Sequence, residues 1–234
     1  MAAVLKEFDS DGRRSHLLPA LMARACVAVL PVAGAGLSFT DELRIPLGAS
    51  DETAARAERL QTTLGEGPCL AATAASAPLQ ASSEVIANRW PLFHRELLRQ
   101  TPYRAVASFP LQSNQHRRFG ALDLYALDGE VLSDLMLDQI TIEIADPIAA
   151  ILFDGPAASY PQTQNLPDWL ASDAVMDRMT VWSAVGLLME EAVLTNAEAL
   201  ARLRGYAFAH DITLDALADR LVTHQVSPRA LLSS

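Results

Sequence analysis

Near the C-terminus, the segment NAEALARLRGYAFA sets two cations one helical turn from two aromatic rings: Arg202 with Tyr206, and Arg204 with Phe208. Residues four apart share a helix face. Rings that stack bases, beside guanidinium groups that hold phosphates, are the chemistry that grips single-stranded RNA loops. Arg220 adds a further cation to such a surface. The same spacing also fits packing, with Tyr206 and Phe208 closing a bundle and the arginines paired to Glu198, Asp211 and Asp219; spacing alone favours that reading. A second reactive candidate is Cys69 in GEGPC, where a thiolate could sit at a helix N-terminus. Its only possible resolving partner, Cys26, lies in an apolar helical segment typical of a buried inert thiol. His16, His94 and His116 have no haem-ligand context, and no metal-ligand spacing, P-loop or Ser-His-Asp grouping occurs. The chain is therefore expected to be neither an enzyme nor a metal or cofactor protein.

Bulk properties narrow the classes further. With 28 acidic against 18 basic residues the net charge is −10, which disfavours a protein that coats nucleic acid through many phosphate contacts. Any nucleic-acid function must be local. Half of the residues are hydrophobic, enough for a substantial core. The apolar run from Ala25 to Leu37 is interrupted by Pro31, Gly34 and Gly36, short of the ~20 residues of a membrane helix. The polar start MAAVLKEFDSDGRRSH does not read as a signal peptide, so a cytoplasmic location is expected.

These side chains need elements to hold them. The pattern predicts a helix after Ser15 with Pro19 in its first turn, a hairpin from GAGLSF and LRIPLGAS around residues 40–42, and a helix led by Asp51. Gly65, Gly67 and Pro68 shape a loop into a short helix; PLFHRELLRQ is amphipathic; YRAVASFPL and RFGALDLYAL are strands. LSDLMLDQITIEIADPIAAILF alternates like a strand in part, but its length and cap favour a helix bent near Pro147. Residues 155–167, rich in proline, read as a linker between a domain at 10–154 and an all-helical unit at 168–228. The fold class is α+β followed by a three-helix bundle. In the bundle, Thr195 and Glu198 form a capping box, and Ala197, Leu200, Leu203 and Ala207 share an inward stripe. Ala184 and Gly186 let another helix approach closely. So small a unit gains from pairing with a second copy, through Val175, Met176, Met179 and Trp182, so a homodimer is expected.

The string SAVGLLMEEAVLTNAEALARLRGYAFAHDITLDALADRLV resembles the ANTAR domain, through Ala184, Gly186, Met189, Ala199, Leu203, Arg204, Ala207, Leu214 and Ala218. It departs from that pattern in Val185, where a lysine is common, and in Glu190 and Glu191, where basic residues often follow the methionine. The front of the chain, with GAGLSF and TLGEGPCLAA, is similar to GAF domains. The resemblance implies an antiparallel GAF-like sheet with covering helices, and a dimeric regulator that binds paired RNA stem-loops and prevents transcription termination. It also implies a pocket between sheet and helices for an unknown small-molecule signal, with Cys69, Trp90, Phe93, Tyr103, Phe109 and Tyr125 as candidate lining. The cyclic-nucleotide motif of some GAF domains is absent. Two alternatives stand beside this expectation: a regulator whose bundle only dimerises, and a thiol-dependent reductase.

Overall fold

The computed structural model describes residues 17–40, 44–112, 118–128, 134–154 and 173–232. Helix α1, Leu18–Val29, carries Pro19 in its first turn, where no amide donor is needed, and buries Met22, Ala23 and Cys26. Strands β1, Gly34–Thr40, and β2, Arg44–Ala49, pair as the expected hairpin; its turn, residues 41–43, lies outside the described residues, as does the expected cap Ser15. Helix α2, Glu52–Leu64, starts where the Asp51 carboxylate accepts the amides of Thr53 and Ala54 at 2.8 and 3.0 Å. It stops at Gly65, whose φ of 69° is left-handed.

Helix α3, Pro68–Ala75, follows the glycine loop. The sequence pattern predicts no element in the next stretch. The chain there forms a three-residue edge strand β3, Leu79–Ala81, too short to show alternation, and a helix α4, Ser83–Arg89, capped by Ser82. Helix α5, Pro91–Gln100, precedes the long strands β4, Ala105–Gln112, and β5, Arg118–Ala126. The five strands run in the order β2-β1-β5-β4-β3, every neighbouring pair antiparallel.

Register sorts the side chains into two layers. Ala107 pairs with Leu124 and Phe109 with Leu122; these four, with Leu111, face α1 and the helix after the sheet. Val106 pairs with Tyr125 and Ser108 with Asp123, so the alternate residues face α2 to α5, beside Trp90, Phe93, Leu97 and Tyr103.

The ambiguous segment is helical from Asp134 to Asp154 and is named α6. Pro147 does not break it: Asp146 and Ala150 both keep right-handed helical angles. The irregularity is taken up by π turns on either side, Thr141–Ala145 and Ala150–Asp154. Wider turns bring residues four apart closer to one line, and Ile140, Ile144, Ile148 and Leu152 are all buried on the sheet.

The linker residues 155–167 lie outside the described residues. Beyond them come α7, Asp173–Glu191; α8, Asn196–Ala209; α9, Leu214–Val222; and a short α10, Pro228–Leu232, which the sequence reading did not anticipate. Thr195 and Glu198 form the expected capping box, and Thr213 caps α9 through the amide of Ala216. Val181, Ala184, Leu188, Leu203, Ala207, Leu214 and Leu217 are 0% exposed and make a separate core. Ala197 is exposed; Ala199, four residues before Leu203, takes the inward place assigned to it. Gly186 has no atom within 4 Å of where a Cβ would stand, so among the described residues no helix makes the close approach expected there.

Candidate functional site

The candidate pocket-lining residues do not gather around one cavity. Trp90, Phe93, Tyr103 and Tyr125 pack in the layer under α2 to α5, whereas Phe109 is in the opposite layer, under α1 and α6. Register is the reason: Phe109 is an odd-numbered residue of β4, and only the even-numbered ones face α2. Tyr103 and Tyr125 stack with ring centroids 4.9 Å apart.

The space between the sheet and α2–α3, where a signal pocket was expected, is filled by the protein's own polar groups. Arg44, in β2, is 2% exposed, and all five of its N–H donors are engaged. Nε donates to Cys69 Sγ at 2.7 Å. Nη1 donates to the Glu58 carbonyl at 2.7 Å and to Thr62 Oγ1 at 3.1 Å. Nη2 donates to the Glu58 carboxylate and to Asp123 Oδ2, the latter at 3.0 Å. Gln61 donates to Asp123 at 2.8 Å and accepts the amide of Cys69 at 3.1 Å. Tyr125 Oη donates to Glu58 at 2.5 Å, and Ser108 Oγ to Asp123 at 2.5 Å. Gly36 is bare because a Cβ there would stand 2.3 Å from the Glu58 carboxyl.

One guanidinium thus faces two buried carboxylates. Burial pushes the Glu58 carboxyl up to about 7, against the pull of Arg44 and with the nearby Asp123 adding to the rise. Burial also pushes the Cys69 thiol up, with Arg44 opposing. The Cys26 thiol is pushed up to about 12, again by burial. The two cysteines lie in opposite layers of the domain, each 0% exposed.

The residues expected to grip RNA are divided by the structure. Arg202 is exposed, with Nη1 3.4 Å from the Leu231 carbonyl. Tyr206 is half-buried against the bundle and stacks on His210 with centroids 3.8 Å apart. Arg220 is exposed on α9. Arg204 and Phe208, assigned to the RNA-gripping face, instead face the sheet domain. A Cβ on Gly65 would stand 2.6 Å from the Arg204 guanidinium, so that group covers the carbonyl end of α2. Burial lowers the Arg204 pKa from the usual guanidinium range, and its Nε has no hydrogen-bond partner. The Arg95 guanidinium lies 5.4 Å from the Phe208 ring centroid. Nearby, Arg99 Nη2 bonds Asp211 at 2.6 Å, and the Leu214 amide donates to Thr63 Oγ1 at 3.3 Å. Helical spacing names the residues that share a face but not which face another domain will cover.

Solved GAF domains are among the chain's structural neighbours. The GAF domain of a phosphoenolpyruvate-protein phosphotransferase from Coxiella burnetii is similar at a TM-score of 0.49 and 15% identity, over 67% of this chain and 92% of that one. The GAF domain region of a Geobacter sulfurreducens PCA protein is similar at 0.46 and 14%, over 65% and 98%. No protein-family model and no curated protein matches the chain.

Of the remaining motif positions, Ala184, Leu203 and Ala207 are core, whereas Gly186 and Met189 lie on the open side of α7. Val185 is 2% exposed, so an apolar residue there completes the bundle core. Glu191 pairs with Arg229. Of the expected dimer contacts, Met179 is exposed and Trp182 packs partly on the bundle; the side chains of Val175 and Met176 lie outside the described residues. No helix among the described residues is long and apolar enough to cross a membrane. The residues missed at the sequence level are Arg44, Glu58, Gln61 and Asp123. Their signal was present: Asp123 interrupts the apolar strand RFGALDLYAL, and a carboxylate at an inward strand position requires a buried partner.

Proposed function

We propose that the chain is a signal-responsive regulator: a GAF-like sensor joined to an ANTAR-like helical unit that binds RNA stem-loops, as a homodimer, to prevent transcription termination. The reading is supported by the motif string on α7 to α9, with Ala184, Leu203, Ala207, Leu214 and Ala218 closing one core. The observation that carries its regulatory part is the seating of Arg204 and Phe208 against α2 and α5. In this arrangement two of the five residues of the RNA-gripping set are covered, so the docked form is the silent one. The ties across the interface suit release. The Arg99–Asp211 pair is exposed, and exposed pairs contribute little. Arg204 leaves a buried donor unmatched, which favours a state in which it meets phosphate or water.

The test is binding of the full-length protein to a fluorescent RNA carrying two stem-loops, titrated with salt, beside an Arg204→Ala, Tyr206→Ala variant. Saturable binding that weakens with salt and is lost in the variant is the expected result. A folded, dimeric protein that binds no RNA at low salt would replace this reading with that of a dimeric interaction regulator, which the acids Glu190 and Glu191 would suit. Catalysis by thiols is not proposed: the two buried cysteines lie in opposite layers.

A further inference from the structure

We infer that the cleft between the sheet domain and the helical unit is the signal site, and that it takes a small organic anion: a carboxylate or phosphate carried on a flat apolar body. The cleft, open on one side, holds about 380 Å³ and takes its walls from both units. Small-molecule sites run from roughly 300 to 1,000 Å³. Along α2, Arg56, Arg59, Leu60 and Leu64 recur at helical spacing and line one wall, so cations and apolar groups alternate on a single face. Arg99 of α5 adds a third cation, and Phe208 of α8 supplies an aromatic surface from the other unit.

The acids in the cleft, Glu96 and Asp211, already have partners. Glu96 accepts from Arg99 at 2.7 Å, from Arg95 at 3.2 Å and from Gln100 at 3.2 Å. Asp211 accepts from Arg99 at 2.6 Å. Arg56 and Arg59 are less committed. Arg56 Nη1 is 3.3 Å from the Gln100 carbonyl, a long bond, and Arg59, half-buried, reaches along its own helix to the exposed Glu52. Either guanidinium can turn to an anion with little lost, and the planar guanidinium fork matches a carboxylate or phosphate edge. The lining sets three arginines against the two acids, Glu96 and Asp211, that Arg99 already holds, so in a chain of net charge −10 Arg56 and Arg59 mark where an anion can be held. The space between sheet and helices is closed to such a ligand by the Arg44 cluster.

A ligand that touches both walls binds the docked arrangement more tightly than the separated one, and so holds the units together. In regulatory terms, which rest on the RNA-binding reading above, the anion is a signal that keeps Arg204 and Phe208 covered.

The experiment titrates phenyl phosphate and phenylacetate into the full-length protein by calorimetry, in the wild type and in an Arg56→Glu, Arg59→Glu variant whose fold is checked by circular dichroism. Expected is saturable binding at one probe per chain, weakened about tenfold or more in the variant. The tighter of the two probes identifies the acidic group. The bound probe should also slow hydrogen exchange in the last turn of α2 and the first turn of α9, a readout of closure that needs no RNA. Absence of saturable binding by either probe at concentrations of about 1 mM, undiminished binding in the variant, or exchange unchanged by a bound probe would each overturn the inference. Adding the same probe to the RNA titration separates the two ideas. A chain that binds probe but no RNA keeps the site and loses the antitermination reading.

Discussion

Arg44 fills the space between the sheet and α2 with bonds to the chain itself. Its five donors meet Cys69, the Glu58 backbone, Thr62, Glu58 and Asp123, so the guanidinium is matched on every side. Removing it leaves two carboxylates buried without their cation. Arg44→Met is expected to cost about 3–5 kcal/mol in urea unfolding, the range for breaking a buried pair from one side. Glu58 adds a pH signature. Its folded value of about 7 lies above the ordinary 4.5, so the folded state holds this proton more tightly than the unfolded chain. The stability it contributes is therefore complete below pH of about 4.5 and is lost as pH rises through about 7. Glu58→Gln, which fixes the protonated shape, is expected to flatten the decline in urea midpoint across that window. A variant that keeps the full wild-type slope would assign the titration elsewhere.

At the scale of elements, boundaries were the legible part. Asp51, Thr195 and Thr213 cap helices because a short side-chain oxygen can take amides that the first turn leaves free, and all three could be read from residue type and position. The end of α2 shows how a local signal acquires a distant role. Gly65 adopts a φ of 69°, and Arg204 lies against it from the other unit. Gly65→Ala is expected to cost about 1 kcal/mol in backbone strain and to displace the guanidinium. In a double-mutant cycle with Arg204→Ala, measured by chemical unfolding, the two changes should be non-additive; strict additivity would show that the contact carries no energy. The missed elements, β3, α4 and α10, are three, seven and five residues long, shorter than two full periods of the patterns that reveal helices and strands.

For the whole molecule, the deciding fact is that two hydrophobic cores meet across a seam in which Leu60, Leu64, Phe208 and Ile212 are interspersed with arginines and acids. Thr63, 7% exposed at the end of α2, receives the Leu214 amide across that seam. Thr63→Arg places a long cation where α9 begins and is expected to separate the units without disturbing either core. Faster hydrogen exchange at both α2 and α9, with a larger radius of gyration in solution scattering, would report the separation. On the RNA-binding reading, affinity for the two-loop RNA should rise in the same variant. Affinity that falls or stays level despite separation would mean that docking does not silence the RNA face.

The sequence by itself determined what depends on near neighbours: which of the longer segments are helix or strand, where caps and glycine stops fall, and that helices alone follow the strands. It did so because propensity, capping and periodicity act over a few residues. Only the tertiary structure decided what depends on pairing across the chain. Strand register sent Phe109 to one layer and Asp123 to the other, against Arg44 and Glu58. Docking turned Arg204 and Phe208 from an apparent outer face into a covered one and opened a cation-lined cleft beside them. Amphipathic spacing marks the residues on a face; the surface that meets it is set by shape and charge brought from more than a hundred residues away, as Thr63 and Leu214 are.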